Sequence, residues 1–102
     1  MLLNNKEIGF YYSVWAHCEY MDYLVAHQQV STARAIMQKA LIMNEAYIKA
    51  GYGGERLTPE DFEDLPGSAF LQIQQELTEQ EKKDSAVTVE TKAPKGKKTV
   101  NL

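Results

Sequence analysis

The chain has little of what marks chemically specialised proteins. It holds a single cysteine, Cys18, among 102 residues. One thiol closes no disulfide within the chain, so cysteine usage does not point to an oxidising compartment. Long apolar runs are missing as well: no stretch approaches the ~20 residues that span a bilayer. Residues 1–3 pass directly into Asn4, Asn5, Lys6 and Glu7 rather than into the apolar core of a signal peptide. The expectation is a cytoplasmic protein with no membrane contact. Gly51, Gly53 and Gly54 follow a helical pattern, and no Gly-Lys-Ser/Thr accompanies them. They read as a helix stop and hinge rather than a phosphate loop. No catalytic or cofactor motif is found, so no catalytic residue, metal ligand or cofactor is expected.

Aromatics are absent from residues 84–102, where the large apolar residues are Val87, Val89, Val100 and Leu102. Such a segment cannot bury enough apolar area to offset its ordering entropy. It is expected to be a disordered tail, leaving a folded domain over residues 1–83. A domain of that size has a thin core, which an oligomer or a partner can complete. Charge divides at the same boundary. Residues 1–83 carry seven basic and twelve acidic side chains, whereas the tail sets Lys92, Lys95, Lys97 and Lys98 against Asp84 and Glu90. An acidic body argues against nucleic acid as the main partner, because phosphate neutralisation drives that binding. The tail lysines read as solvated.

What is present is a hairpin that runs into helices. Residues 1–3 and 7–12 form two apolar runs around Asn4-Asn5-Lys6, and Asn tolerates the positive φ of a tight turn. Ile8, Phe10 and Tyr12 alternate onto one face, and a lone hairpin is marginal in water, so that face must lie on helices. Ser13 caps a first helix over residues 14–27. Its residues give two stripes at ~100° steps. Val14, Cys18, Met21 and Val25 line one face, and Ala16, Tyr20, Tyr23 and His27 line the opposite face. The first is expected in the core and the second, with Trp15, at a partner surface, since Tyr and Trp carry large contact area with few rotors.

Ser31 opens a second helix that Gly51 stops. Its stripe is Ala33, Ile36, Met37, Ala40, Leu41, Asn44, Tyr47 and Ile48, and Glu45 and Lys49 are spaced for an i,i+4 pair. Asn44 within the stripe either fixes register at a helix interface or bonds a loop backbone. Residues 52–56 read as a flexible loop. Thr58-Pro59-Glu60-Asp61 provides a cap, a first-turn proline and acids that favour the positive helix end. The last helix, capped by Ser68 and ending near Lys83, shows a narrow Phe70, Ile73 and Leu77 face. The fold class is therefore mainly α, a short N-terminal β-hairpin followed by a three- to four-helix bundle. Its expected core is Ile8, Phe10, Val14, Cys18, Met21, Val25, Ile36, Met37, Leu41, Ile48, Phe70, Ile73 and Leu77.

His17, Cys18 and Glu19 are adjacent, so they point 100° apart and cannot share one ion. The cluster Glu60, Asp61, Glu63 and Asp64 follows a cap and Pro59, and the helix dipole accounts for its first two members.

The order of a strand, the Asn-Asn-Lys-Glu turn, an aromatic strand and then a helix near Ser13 resembles small tail assembly chaperones of tailed phages and prophages. The matching residues run from Leu2 to Tyr12 and from Val14 to Leu24, about a quarter of the chain. The resemblance implies a non-enzymatic assembly factor in a bacterial host cell, coating a long, helical, aggregation-prone tape-measure protein and self-associating into oligomers. It also implies a longer form made by ribosomal frameshifting, for which Lys95-Gly96-Lys97-Lys98 permits an A-rich slippery run. The alternative is a small DNA-binding transcriptional regulator, with Arg34, Gln38, Lys39 and Lys49 on its second helix. A small enzyme ranks third.

Overall fold

The computed structural model describes the backbone of residues 1–92 and the side chains of residues 1–85. The chain is mainly helical with an N-terminal hairpin, as its pattern predicts. Strands β1 (Leu2–Leu3) and β2 (Lys6–Glu7) pair antiparallel, Leu2 opposite Glu7 and Leu3 opposite Lys6. The turn between them is Asn4 and Asn5, at φ 49° and 65°. Both central residues are left-handed, which suits the right-handed twist of a two-residue hairpin.

The second run does not continue as a strand to Tyr12. Ile8 still bonds Met1 beyond the two strands, its N–H donating to the Met1 carbonyl at 2.8 Å, but from there the segment to Ser13 bonds helices instead of a strand. The Tyr11 N–H donates to the Met43 carbonyl at 3.0 Å, and the Tyr12 N–H donates to the Asp84 carboxylate at 2.8 Å. Ile8 and Phe10 on this segment are buried, as their alternation requires. The opposite register position, Gly9, lies so close to the Tyr47 ring that a Cβ would enter it.

Helix α1 (Val14–Ala26) begins at Ser13, whose hydroxyl accepts the Ala16 N–H at 3.1 Å. Helix α2 (Thr32–Lys49) begins at Ser31, which accepts the Arg34 N–H at 3.2 Å. Gly51, at φ 87°, ends it in the left-handed region that glycine adopts without cost. A 3-10 turn (Pro59–Phe62) precedes α3 (Gly67–Lys92).

Helix α2 is central and packs on both α1 and α3. Ile42, Met43 and Asn44 are consecutive, point about 100° apart, and are all buried. A helix buried over so much of its circumference cannot show one narrow stripe. Ile36 and Leu41 are partly buried against the core, and Met37, Ile48 and Phe70 are likewise intermediate. The tightest positions on α2 include alanines, with Ala40 fully buried. Ile73 and Leu77 of α3 close the core from the other side.

Two expectations are corrected here. The loop after α2 is not a free hinge: the Leu57 N–H donates to Asn44 Oδ1 at 2.8 Å, and the Glu55 N–H donates to the Glu7 carbonyl at 3.0 Å. Glu45 pairs with Arg56 across that loop, and Lys49 lies over the Trp15 ring at 4.9 Å, so the Glu45–Lys49 pair is not formed. Helix α3 runs across residues 83/84 and continues to Lys92. Gln80 Nε2 donates to Asp84 at 3.1 Å, tying a residue assigned to the tail into the body. Residues 93–102 of the expected tail lie outside the described residues.

Candidate functional site

The surface that distinguishes this molecule is helix α1, and it faces the opposite way from its hydropathy. Val14 is 78% exposed and Val25 71% exposed. Cys18 and Met21 are exposed as well. None of the four joins the core expected of them. The buried residue of α1 is Ala16, and Tyr20 packs against the core beside it.

The physical reason lies in size and in polar tips. Alanine lets a helix approach its neighbour closely, whereas Val14 and Met21 would hold it away. Tyrosines at the border bury their rings and leave their hydroxyls at the rim. Lys39 of α2 completes the arrangement. Its ammonium is 5.1 Å from the Tyr20 ring centroid and 5.8 Å from that of Tyr12, and it pairs with Glu81 of α3 at 2.6 Å. Burial first, and Glu81 second, push the Tyr12 phenol above its ordinary value. The hydroxyl also bonds His17 Nδ1. One lysine thus joins a ring of α1, a ring of the segment before it and an acid of α3, and no spacing in the sequence points to it.

The expected partner surface therefore divides. Tyr20 turns inward. Tyr23 and His27 remain together as a stacked pair, centroids 4.4 Å apart with planes at 24°. His27 also bonds the Tyr23 carbonyl at the helix end. Trp15 is 37% exposed beside Lys49 and is not part of that pair. The structure instead presents Val14, Cys18, Met21 and Val25 as one continuous outer row at offsets of 4, 3 and 4. Trp15, Glu19, Asp22 and Ala26 run beside it at the same offsets.

The acidic cluster takes a structural role at Asp61, which is 8% exposed. Its Oδ2 accepts from Lys6 Nζ at 2.9 Å, from the Thr58 N–H at 2.8 Å and from the Thr58 hydroxyl at 3.1 Å. The Lys6 bond, with Thr58 behind it, lowers the carboxyl from 3.8 to about 2 despite its burial. Asn44 is the second buried polar residue and resolves in favour of loop bonding. Its amide donates to the Gly9 carbonyl at 2.9 Å while its oxygen holds Leu57.

Among the described residues no group of three or more His, Cys, Asp or Glu side chains is placed to hold a metal ion. A shallow depression lined by Leu71, Gln74, Thr78 and Lys82 lies along one face of α3 and has no wall from another element. No helix among the described residues is long and apolar enough to cross a membrane. Comparison with protein-family models, curated proteins and solved structures gives no match.

Proposed function

We propose that the protein is a non-enzymatic assembly chaperone or adaptor that docks an apolar helical segment of a protein partner. One observation carries this reading. The outer row of α1 exposes Val14, Met21 and Val25 together on a helix whose other face is already packed. An apolar row at helical spacing accepts the matching row of a second helix, as helix-in-groove binding does. The resemblance of residues 2–24 to phage tail assembly chaperones supports the same reading and supplies a partner class, a long helical tape-measure-like protein. The regulator alternative has less support. Lys39 is engaged by Glu81 at 2.6 Å, and Lys49, though exposed, lies over the Trp15 ring, which leaves Arg34 as the cation of that set on α2 with neither an acidic nor an aromatic partner among the described residues.

The test is co-expression with a long, helical, tape-measure-like protein. The soluble fraction of that protein rises with the wild-type chain and not with Val14→Glu/Val25→Glu. Equal solubility with both, or with neither, contradicts the reading. A gel shift at low salt addresses the regulator: retarded DNA would favour it.

A further inference from the structure

We propose that Lys39 is the positioning residue that keeps the Val14, Cys18, Met21 and Val25 row outside, and that without its cation the row turns onto the core. The inference rests on the docking reading above and names what holds that face open. Hydropathy does not hold it. Among the described residues Val14 and Val25 are the most exposed of the large apolar side chains. The buried residue of α1 is Ala16, with Tyr20 partly buried beside it. The helix therefore leaves its more apolar side in water and gains one small side chain and part of a ring.

At 100° per residue the row lies about 130° around the helix from Tyr20, so a turn of that size would exchange the two faces. Lys39 opposes that turn. Its side chain is 19% exposed, so its ammonium needs partners other than water. It has Glu81 of α3 at 2.6 Å and the π faces of Tyr20 and Tyr12, whose ring centroids lie at 5.1 Å and 5.8 Å. The Tyr12 hydroxyl in turn bonds His17 Nδ1, so α1 is held at His17 and Tyr20 together. Glu81 stays in place whichever way α1 faces, because it belongs to α3. The Tyr20 ring and His17 leave with the turn. In their place the ammonium would meet Val, Cys and Met side chains, which offer it no π face. The lysine thus favours the tyrosine face and penalises the aliphatic one. An uncharged side chain in its place keeps the space and loses the selection, and the row of higher hydropathy then takes the interior.

The experiment reads Cys18, the single thiol and a member of the row, in the full chain with no partner present. Its alkylation rate is compared in wild type, Lys39→Arg, Lys39→Leu and Lys39→Gln, with circular dichroism to report folding and light scattering to report mass. The two neutral variants are expected to keep their helicity and to slow alkylation about tenfold or more, because the thiol is then reached only through local opening. Lys39→Arg keeps a cation for Glu81 and the rings and is expected to stay within about twofold of wild type. A merely structural role predicts the opposite, since loosened packing leaves Cys18 as reactive as before or more so. A wild-type rate in whichever neutral variant folds overturns the assignment and leaves the docking reading standing. Slowing in Lys39→Arg equal to that in Lys39→Leu also overturns it, because the charge is then immaterial. So does slowing that vanishes on dilution along with a dimer in light scattering, because a second copy is then covering the row. Unfolding of both neutral variants makes Lys39 a residue of stability alone and overturns it too. Neutral variants that protect Cys18 and still solubilise a tape-measure-like protein as wild type does sink the docking reading and leave the Lys39 assignment standing.

Discussion

Lys6 and Asp61, 55 residues apart in sequence, meet at 2.9 Å and join the hairpin to the 3-10 turn after α2. The carboxylate is held at about 2, below its ordinary 3.8. A depressed carboxyl contributes stability that is complete above its unfolded value and is lost as pH falls through the folded one. The shift corresponds to about 2 kcal/mol. Wild-type stability is therefore expected to fall between pH 4 and pH 2, the interval bounded by those two values. Asp61→Asn should cost about 2 kcal/mol at neutral pH and show a flatter acid limb. Urea denaturation across that pH range checks it. Parallel acid limbs would show that Asp61 does not carry the effect.

Gly9 is set by the Tyr47 ring, not by its own backbone angles, since its φ is not among the positive ones. Gly9→Ala should destabilise by about 1–3 kcal/mol through overpacking. In a Tyr47→Ala background the same change should cost less than about 0.5 kcal/mol, because the obstructing ring is gone. A double-mutant cycle by thermal denaturation measures the coupling. Additive costs would contradict the contact.

The two faces of α1 should separate cleanly in stability. Tyr20→Ala removes a ring packed on the core and beside Lys39 and should cost about 1–3 kcal/mol. Val14→Ser and Val25→Ser lie on the outer row and should stay within about 0.5 kcal/mol of wild type. Chemical denaturation decides between this orientation and the reverse one.

Asp84 accepts the Tyr12 N–H, so α3 holds the end of the extended segment. Asp84→Ala should cost about 1–2 kcal/mol by leaving that N–H without its acceptor. Amide exchange at Tyr12 should accelerate in the variant. Unchanged exchange and stability would place the effective end of the folded body before residue 84.

Much of this architecture can be read from local chemistry. Asn4-Asn5 announces the turn, Ser13 and Ser31 the helix starts, Gly51 the stop and Pro59 the short turn, because each satisfies a backbone requirement within a few residues. The burial of Ile8, Phe10, Ile73 and Leu77 follows from period alone. The orientation of α1 does not. Its two faces are similar in extent, and hydropathy favours Val14, Cys18, Met21 and Val25 for the interior. Ala16 and the tyrosine ring over Lys39 decide otherwise, and that choice depends on α2 and α3. The same holds for Asn44 and Asp61, whose partners lie in distant segments: either residue type alone fits several roles. The candidate surface was thus legible as a helix with two usable faces, but not as which face stays outside.

Cys18 provides the most direct test, because it is the single thiol and lies in the middle of the outer row. The measurement is its alkylation rate in the folded protein, alone and with a saturating amphipathic helical peptide. The account predicts reaction near the rate of an exposed thiol in the free protein and a severalfold slowing when the helix is bound. A thiol protected in the free protein, or one whose rate the bound helix leaves unchanged, would contradict it.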